Sequence, residues 1–395
     1  MNKFFEDIIP ISEKQWKNKV QVELEGLDYN KTLVWGTNDH INVKPLYLSN
    51  DVDYYNLKPI SNATKIISTN IKLENKYCNA YFITENNSDQ LESIPSESDL
   101  YFQYHETLNF NVLKKLPHKK FLDFDVYGYY AQNGVRLKET RKADRDLIKK
   151  IVRESYCDKC IAIQADVYQN AGANHIQEIA ISLSHAVQYI EDFGAEIADK
   201  IYFKFAIGSN FFFEIAKLRA FRFLWRMVME QYDLKNEAHI VTSVSKRNKS
   251  YLDKDNNIVR ASLEISASFL GKSDAIIVEN EINPCDYNDD YISGSYYIEN
   301  LTDQMGEKAL ELFKTIQNSG GFLKSIENET IQDFIYSTAK KEQKDFDENI
   351  LQLIGVNKNK ISFDKNERTK KEKVIKQVRF LPIVPTRLAE KEEKK

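Results

Sequence analysis

Residues 203–222 read FKFAIGSNFFFEIAKLRAFR, and their order decides the fold. A strand-like run over 200–207 stops at Gly208. A helix pattern begins at once, with Ser209 or Asn210 as its N-cap. The unit is strand, turn and helix with almost no loop. In repeated β/α proteins the turn at a strand's C-terminal end is where chemistry is usually built. Working outward, the same alternation recurs. Strands are expected at 65–72, 79–84, 99–104, 120–126, 160–165, 200–207, 239–244 and 274–279. Helical patterns fill 141–155, 174–191, 209–231 and 257–270, with two more near 301–318 and 329–346. Eight β/α units argue for a (β/α)8 TIM barrel of the α/β class. The first connections are too short for full crossover helices. Either the barrel is eroded on its N-terminal side, or one early strand is misplaced.

Composition narrows the function classes. The net charge of −4 gives no general attraction to nucleic acid. No apolar run approaches the roughly 20 residues needed to span a membrane. The N-terminus lacks a signal-peptide pattern, and four cysteines do not make a disulfide scaffold, so the cytoplasm is expected. Neither a Gly-rich dinucleotide loop, a Walker A sequence nor a nucleophile elbow is present.

Individual residues carry competing readings. Gly208-Ser209-Asn210 offers backbone N–H groups to a phosphate, or is simply a tight turn and cap. Glu214, Lys217 and Arg219 are candidates for chemistry, but Glu214 and Lys217 stand at the i, i+3 spacing of a structural ion pair. Cys157 and Cys160 form half a zinc or redox motif with no second pair at matching spacing, which favours structural cysteines. His175 and His185 lie ten residues apart on one helix, unlike metal ligands, and are expected to be structural. Trp16, Val20 and Leu24 form one apolar stripe after a Ser12-x-x-Gln15 capping box. That arm, with its second Trp at Trp35, packs either on its own domain or on a partner. Beyond Lys358 the composition is that of a tail with little core-forming capacity. Its basic run, Lys370–Arg379, reads as a solvated face, and Phe380, Leu381, Ile383 and Val384 are available to touch a partner.

Several stretches together resemble the methylmalonyl-CoA mutase family. The 203–225 segment resembles the sixth strand–helix unit of that barrel. QNAGANHIQEIAISLSHAVQYI (169–190) resembles the preceding helix unit. GSYYIENLTDQMGEKALELFKTIQNSGGFLKSI (294–326) resembles the segment that closes the barrel, and IGVNK (354–358) the motif that follows. WKNKVQVELEGLDYNKTLVW (16–35) and INVKPLY (41–47) resemble the arm with which one subunit embraces the other. The signature positions are Gly172, Gly208, Asn210, Glu214, Lys217, Arg219, Gly294, Tyr296 and Tyr297. The resemblance implies interface positions at Trp16, Leu33, Trp35, Pro45 and Tyr47.

The departures set the functional expectation. Where the family's catalytic chain has a His that hydrogen-bonds the substrate thioester, this chain has Val167, which has no donor. Asn170 stands where the family has Glu. The loop Thr242–Lys249 lacks the family's second His, and Val278–Pro284 replaces a further His-bearing stretch. No His is followed by Gly three residues later, as the cobalt-ligating D-x-H-x-x-G motif requires. The resemblance therefore implies the small, non-catalytic subunit in a shortened form without a cobalamin-binding domain. No catalytic, cofactor-binding or metal residue is assigned to this chain. The expected partner is the large catalytic subunit, which carries adenosylcobalamin and interconverts (R)-methylmalonyl-CoA and succinyl-CoA. The expected division is an arm over 1–47, a barrel over 48–346 and a C-terminal extension over 347–395. Two alternatives stay open: a stand-alone acyl-CoA-binding barrel using Lys246, Arg247 and Lys249 for phosphates, and a decayed chain that no longer assembles.

Overall fold

The computed structural model describes residues 11–52, 63–69, 78–86, 88–251, 253–278, 290–359 and 378–393. The arm begins with α1 (Glu13–Glu23) and α2 (Tyr29–Leu33). The Ser12/Gln15 capping box forms, and Trp16 meets Tyr29 edge-on at 6.4 Å. A small antiparallel hairpin follows, β1 (Trp35–Gly36) against β2 (Asn42–Val43).

All eight expected barrel strands are present: β3 (Lys65–Ser68), β4 (Ala80–Ile83), β5 (Asp99–Gln103), β6 (Lys120–Asp123), β7 (Ile161–Gln164), β8 (Ile201–Ile207), β9 (Ile240–Val244) and β10 (Ala275–Val278). They pair in parallel in the order β6-β5-β4-β3-β10-β9-β8-β7. At the seam the Leu122 N–H donates to Lys159 O at 2.9 Å and the Ala162 N–H to Phe124 O at 3.0 Å, which joins β6 to the β7 side. The sheet is thus an eight-stranded parallel barrel, close to closed, as in the (β/α)8 fold.

The erosion on the N-terminal side is the correct branch of the earlier alternative. The β4–β5 connection carries a 3-10 turn (Ser88–Ser93), and the β5–β6 connection only the six-residue α3 (Phe110–Lys115). Longer helices return afterwards, α5 (Arg141–Glu154), α7 (His175–Phe193), α8 (Phe211–Glu230) and α9 (Lys254–Leu270), with the short α4 (Val126–Asn133) and α6 (Asp166–Ala171) ahead of α5 and α7. After β10 come α10 (Tyr296–Asn318), α11 (Gly321–Glu327) and α12 (Thr330–Asp347), and α13 (Glu390–Glu393) ends the described chain. The helix expected from 301 thus begins at Tyr296. The break before α11 falls at Gly320 and Gly321, both with positive φ, a conformation open to Gly at little cost.

The opening stretch shows why β8 and α8 hold together. Phe203 on the strand packs edge-on against Phe221 and Trp225 of the helix, at 4.5 and 4.8 Å, and Phe205 meets Phe221 at 4.7 Å. Inside the barrel, Tyr101 and Phe121 stack at 4.4 Å and Phe121 on His239 at 4.6 Å. These rings fill the bore, as side-chain layers fill other barrels of this kind.

The C-terminal segment corrects an expectation. Its described part, 378–393, has full core-forming capacity. Phe380 and Ile383 are buried in the chain's own main core, and Leu388 and Ala389 join Phe346, Leu353 and Val356 in a second cluster. Phe380 meets Tyr130 of α4 edge-on at 4.8 Å, and the Ile383 N–H donates to Ala131 O. Phe380 and Ile383 are therefore committed to this fold, whereas Leu381 and Val384 stay about half exposed. Most of the basic run 370–379 and most of the 278–284 stretch lie outside the described residues. Among the described residues no helix is long and apolar enough to cross a membrane.

Candidate functional site

The turn after β8 is built around buried charge. The Gly208 N–H donates to Glu214 Oε1 at 2.7 Å. Asn210 is the N-cap residue of α8, but its side chain makes no capping bond. One turn along α8, Lys217 Nζ lies 2.5 Å from Glu214 Oε2 and 2.7 Å from Glu178 Oε2 of α7, and donates to Ala206 O at 2.6 Å. All three side chains are buried. The i, i+3 ion pair is thus present, but inside a larger network.

His175, at the start of α7, lies 3.4 Å from Glu214 Oε1 through Nε2. Its Nδ1 is 2.9 Å from Asp39 Oδ2, and its backbone N–H donates to Asp39 Oδ1 at 2.8 Å. Asp39 belongs to the hairpin turn, so the network ties the arm to the barrel.

The charge states follow from this geometry. Burial alone would lower the His175 pKa, but Asp39 and Glu214 raise it to about 10. Burial would raise Glu214, but Lys217 and His175 pull it to about 2. Burial would lower Lys217, yet Glu178 and Glu214 hold it above its usual range. For Glu178, burial outweighs Lys217, and its pKa rises to about 7.

Arg219 faces the other way along α8. Its guanidinium pairs with Asp290 at 3.0 Å and with Glu299 of α10 at 3.1 Å. Glu299 Oε1 also accepts the Gly294 N–H at 3.1 Å, and Gly294 has φ +85°. Gly294, just before α10, is thus held through Glu299 by Arg219 of α8. Tyr297 links Phe212 of α8 to Tyr47 of the arm, with rings 5.4 and 5.2 Å apart, while Tyr296 is partly exposed.

The other candidates separate into distinct places. Val167, on α6, packs in the main core. Nearby Asn170 is also buried; its Oδ1 accepts the Lys246 N–H at 2.7 Å and its carbonyl the Thr386 N–H at 2.9 Å. Gly172 has φ +107°, and a Cβ there would meet Ala339 Cβ at 2.4 Å. Arg247 donates to Glu342 at 2.5 Å and to Thr386 Oγ1 at 2.9 Å, and Lys249 to Glu264 at 2.7 Å. Two of the three cations expected for phosphates are therefore spent on protein carboxylates; Lys246 is exposed. Cys157 and Cys160 are buried thiols whose pKa values burial pushes to about 12 and about 11. No metal-ligand cluster occurs among the described residues. His185 sits fully buried between Asp125 and Tyr168.

At the mouth of the bore, Lys204 of β8 donates to Asp123 of β6 at 2.7 Å, and Gln164 donates to the same carboxylate at 3.2 Å. Asp166 beside them has a pKa raised by burial. In the arm, Trp16 and Leu33 are half-buried, Trp35 is exposed with its ring 5.9 Å from Phe213, Pro45 is exposed, and the Tyr47 hydroxyl accepts the Lys44 N–H.

A family model described as methylmalonyl-CoA mutase matches residues 131–282 and 274–383. The chain belongs to the methylmalonyl-CoA mutase family. It is 26% identical to the methylmalonyl-CoA mutase small subunit of Porphyromonas gingivalis, over 84% of this chain and 66% of that one. It is 28% identical to the methylmalonyl-CoA mutase of Rhizobium meliloti, over 61% of this chain and 38% of that one. With the methylmalonyl-CoA mutase large subunit of Porphyromonas gingivalis it shares 29% identity over 50% of this chain and 32% of that one. The chain thus spans less than two thirds of the length of these curated relatives.

Within this mutase-family barrel, the residues that sequence reasoning missed are Asp39, Glu178 and the Lys204–Asp123 pair. Glu178 stands three residues after His175 and directly before the apolar run Ile179-Ala180-Ile181, a local sign of a buried charge seeking a partner. Asp39 gives no such sign, because its partner is 136 residues away.

Proposed function

We propose that this chain is the small, non-catalytic subunit of a heterodimeric methylmalonyl-CoA mutase. It would support structurally the isomerisation of (R)-methylmalonyl-CoA and succinyl-CoA by a large subunit. The observation that carries the reading is Val167, a donorless side chain packed into the core where the family motif has its catalytic His. The likeness to a small subunit over most of the chain supports it.

The family uses adenosylcobalamin. The mouth residues here do not fit that chemistry: Lys204 and Asp123 neutralise each other, and no imidazole stands at 167. The cofactor would belong to the partner. In this reading residues 1–47 are the arm, with Trp16, Leu33 and Trp35 toward the partner, 48–346 the barrel and 347–395 an extension, in the cytoplasm.

Co-expression with a large subunit is expected to give a stable heterodimer with mutase activity. This chain alone, given adenosylcobalamin and methylmalonyl-CoA, is expected to turn over nothing. Robust activity from the isolated chain would overturn the proposal.

A further inference from the structure

A cavity of about 550 Å³ lies between the hairpin, the turns that start α7 and α8, the β9–α9 loop, α12 and the 350–353 segment. That volume is in the range of small-molecule sites, roughly 300–1,000 Å³. It opens at the C-terminal ends of β7, β8 and β9, and the proposed function assigns it no ligand. We propose that this cavity binds an uncharged amphipathic small molecule. Its hydrogen-bonding end would face Gln169 and Asn210, and its apolar body Leu353 and Leu388.

The charges buried in the wall disfavour an ionic ligand. Four carboxylates line the cavity: Asp39, Glu214, Glu342 and Asp345. Three cations line it: His175, Arg247 and Lys341. Lys217, directly behind Glu214, makes the fourth. His175 is held by Asp39 and Glu214, and Arg247 by Glu342. Lys341 and Asp345 stand four apart on α12 but form no ion pair, and Lys341 is exposed to solvent. A phosphate or carboxylate would therefore enter a site whose buried cations, His175 and Arg247, are already paired, and would meet only the solvent-exposed Lys341 at its edge.

What remains free in the wall is neutral. Gln169 Oε1 accepts from Ser245, but its amide nitrogen has no acceptor among the described residues. The Asn210 side chain has no hydrogen-bond partner among the described residues, and it caps nothing. These groups suit hydroxyls and carbonyls. Ile350, Leu351, Leu353 and Leu388 supply the apolar side.

The test is calorimetry on the full chain with two probes that share a tail. Hexyl β-D-glucoside has an uncharged hydroxyl-rich head, and hexyl phosphate an anionic one. The glucoside is expected to bind saturably, and the phosphate about tenfold more weakly or not at all, because the buried cations are already paired and the exposed Lys341 is held by water. Asn210→Trp, which fills the polar end, is expected to abolish glucoside binding while the melting temperature stays put. Should that variant fail to fold, Gln169→Leu removes the free amide without adding bulk and is expected to weaken binding about fivefold. The proposal is overturned by no saturable glucoside binding to the parent chain, by equal binding of the phosphate, or by unchanged binding in a folded Asn210→Trp or Gln169→Leu chain. None of these outcomes bears on heterodimer assembly, so the two proposals fail separately.

Discussion

At the residue scale, Lys217 is the pivot. Its ammonium is the cation shared by Glu178 and Glu214, all three out of water. Removing one partner from such a group leaves charge buried and unpaired. Lys217→Met is expected to cost about 3–5 kcal/mol in urea unfolding. Replacing Glu178 by Leu in the same chain removes the orphaned carboxylate and leaves Glu214 to His175; about half of the loss should return.

His175 predicts a pH dependence. Its pKa rises from 6.5 to about 10 on folding, so its stabilising contribution is complete below pH 6.5 and is lost as pH climbs through 10. Glu178, raised from 4.5 to about 7, adds a smaller loss as pH rises between those values. Glu214 works at the acid end: lowered to about 2, it stabilises above pH 4.5 and stops doing so as pH falls through 2. The melting temperature should therefore decline from pH 7 to pH 10, and His175→Asn should flatten that decline. An identical slope in the variant would assign it to other groups.

At the element scale, α8 is an organiser. One face carries Phe221 and Trp225 to β8; another sends Arg219 to Asp290 and Glu299. The entry to α10 hangs on that guanidinium, because Glu299 also holds the Gly294 N–H. Arg219→Ala is expected to cost about 3–5 kcal/mol, the usual loss when a buried pair is broken. Hydrogen exchange should speed up locally over 294–299. Arg219→Lys should recover only part, since an ammonium cannot present the planar fork that spans two carboxylates. Uniform exchange across the chain would show that α10 does not depend on this contact.

At the scale of the whole molecule, the C-terminal segment is a strap across the rim. The Arg379 N–H donates to Gly134 O, the Thr386 N–H to Asn170 O and the Leu388 N–H to Arg247 O. Tyr336 donates to Pro382 O, and Arg387 pairs with Glu393 while lying over Tyr251. The strap thus reaches the end of α4, helix α6 and the β9–α9 loop. Deleting residues from 378 onward exposes the seats of Phe380 and Ile383, and is expected to cost about 3–6 kcal/mol from those two side chains alone. Thermal unfolding and limited proteolysis would register it; an unchanged midpoint would mean the strap adds nothing.

Much of this was legible from local patterns. The strands showed themselves as short β-rich runs between helical patterns, and Glu214–Lys217 as an i, i+3 pair, because each signal is carried by neighbours along the chain. The absence of an imidazole at position 167 needed no structure at all. The short α4, α6 and α11 escaped because six to eight residues carry too little periodicity to separate from a loop. Only the tertiary structure decided which charges neutralise each other. Asp39, His175, Glu178 and Glu214 come from three segments, and their pairing depends on the barrel bringing those segments together out of water. It also decided the fate of the strap, whose composition resembles a tail until α4 and α12 form the groove that buries Phe380 and Ile383. Periodicity is a property of the chain, whereas burial and charge compensation are properties of what the chain folds against.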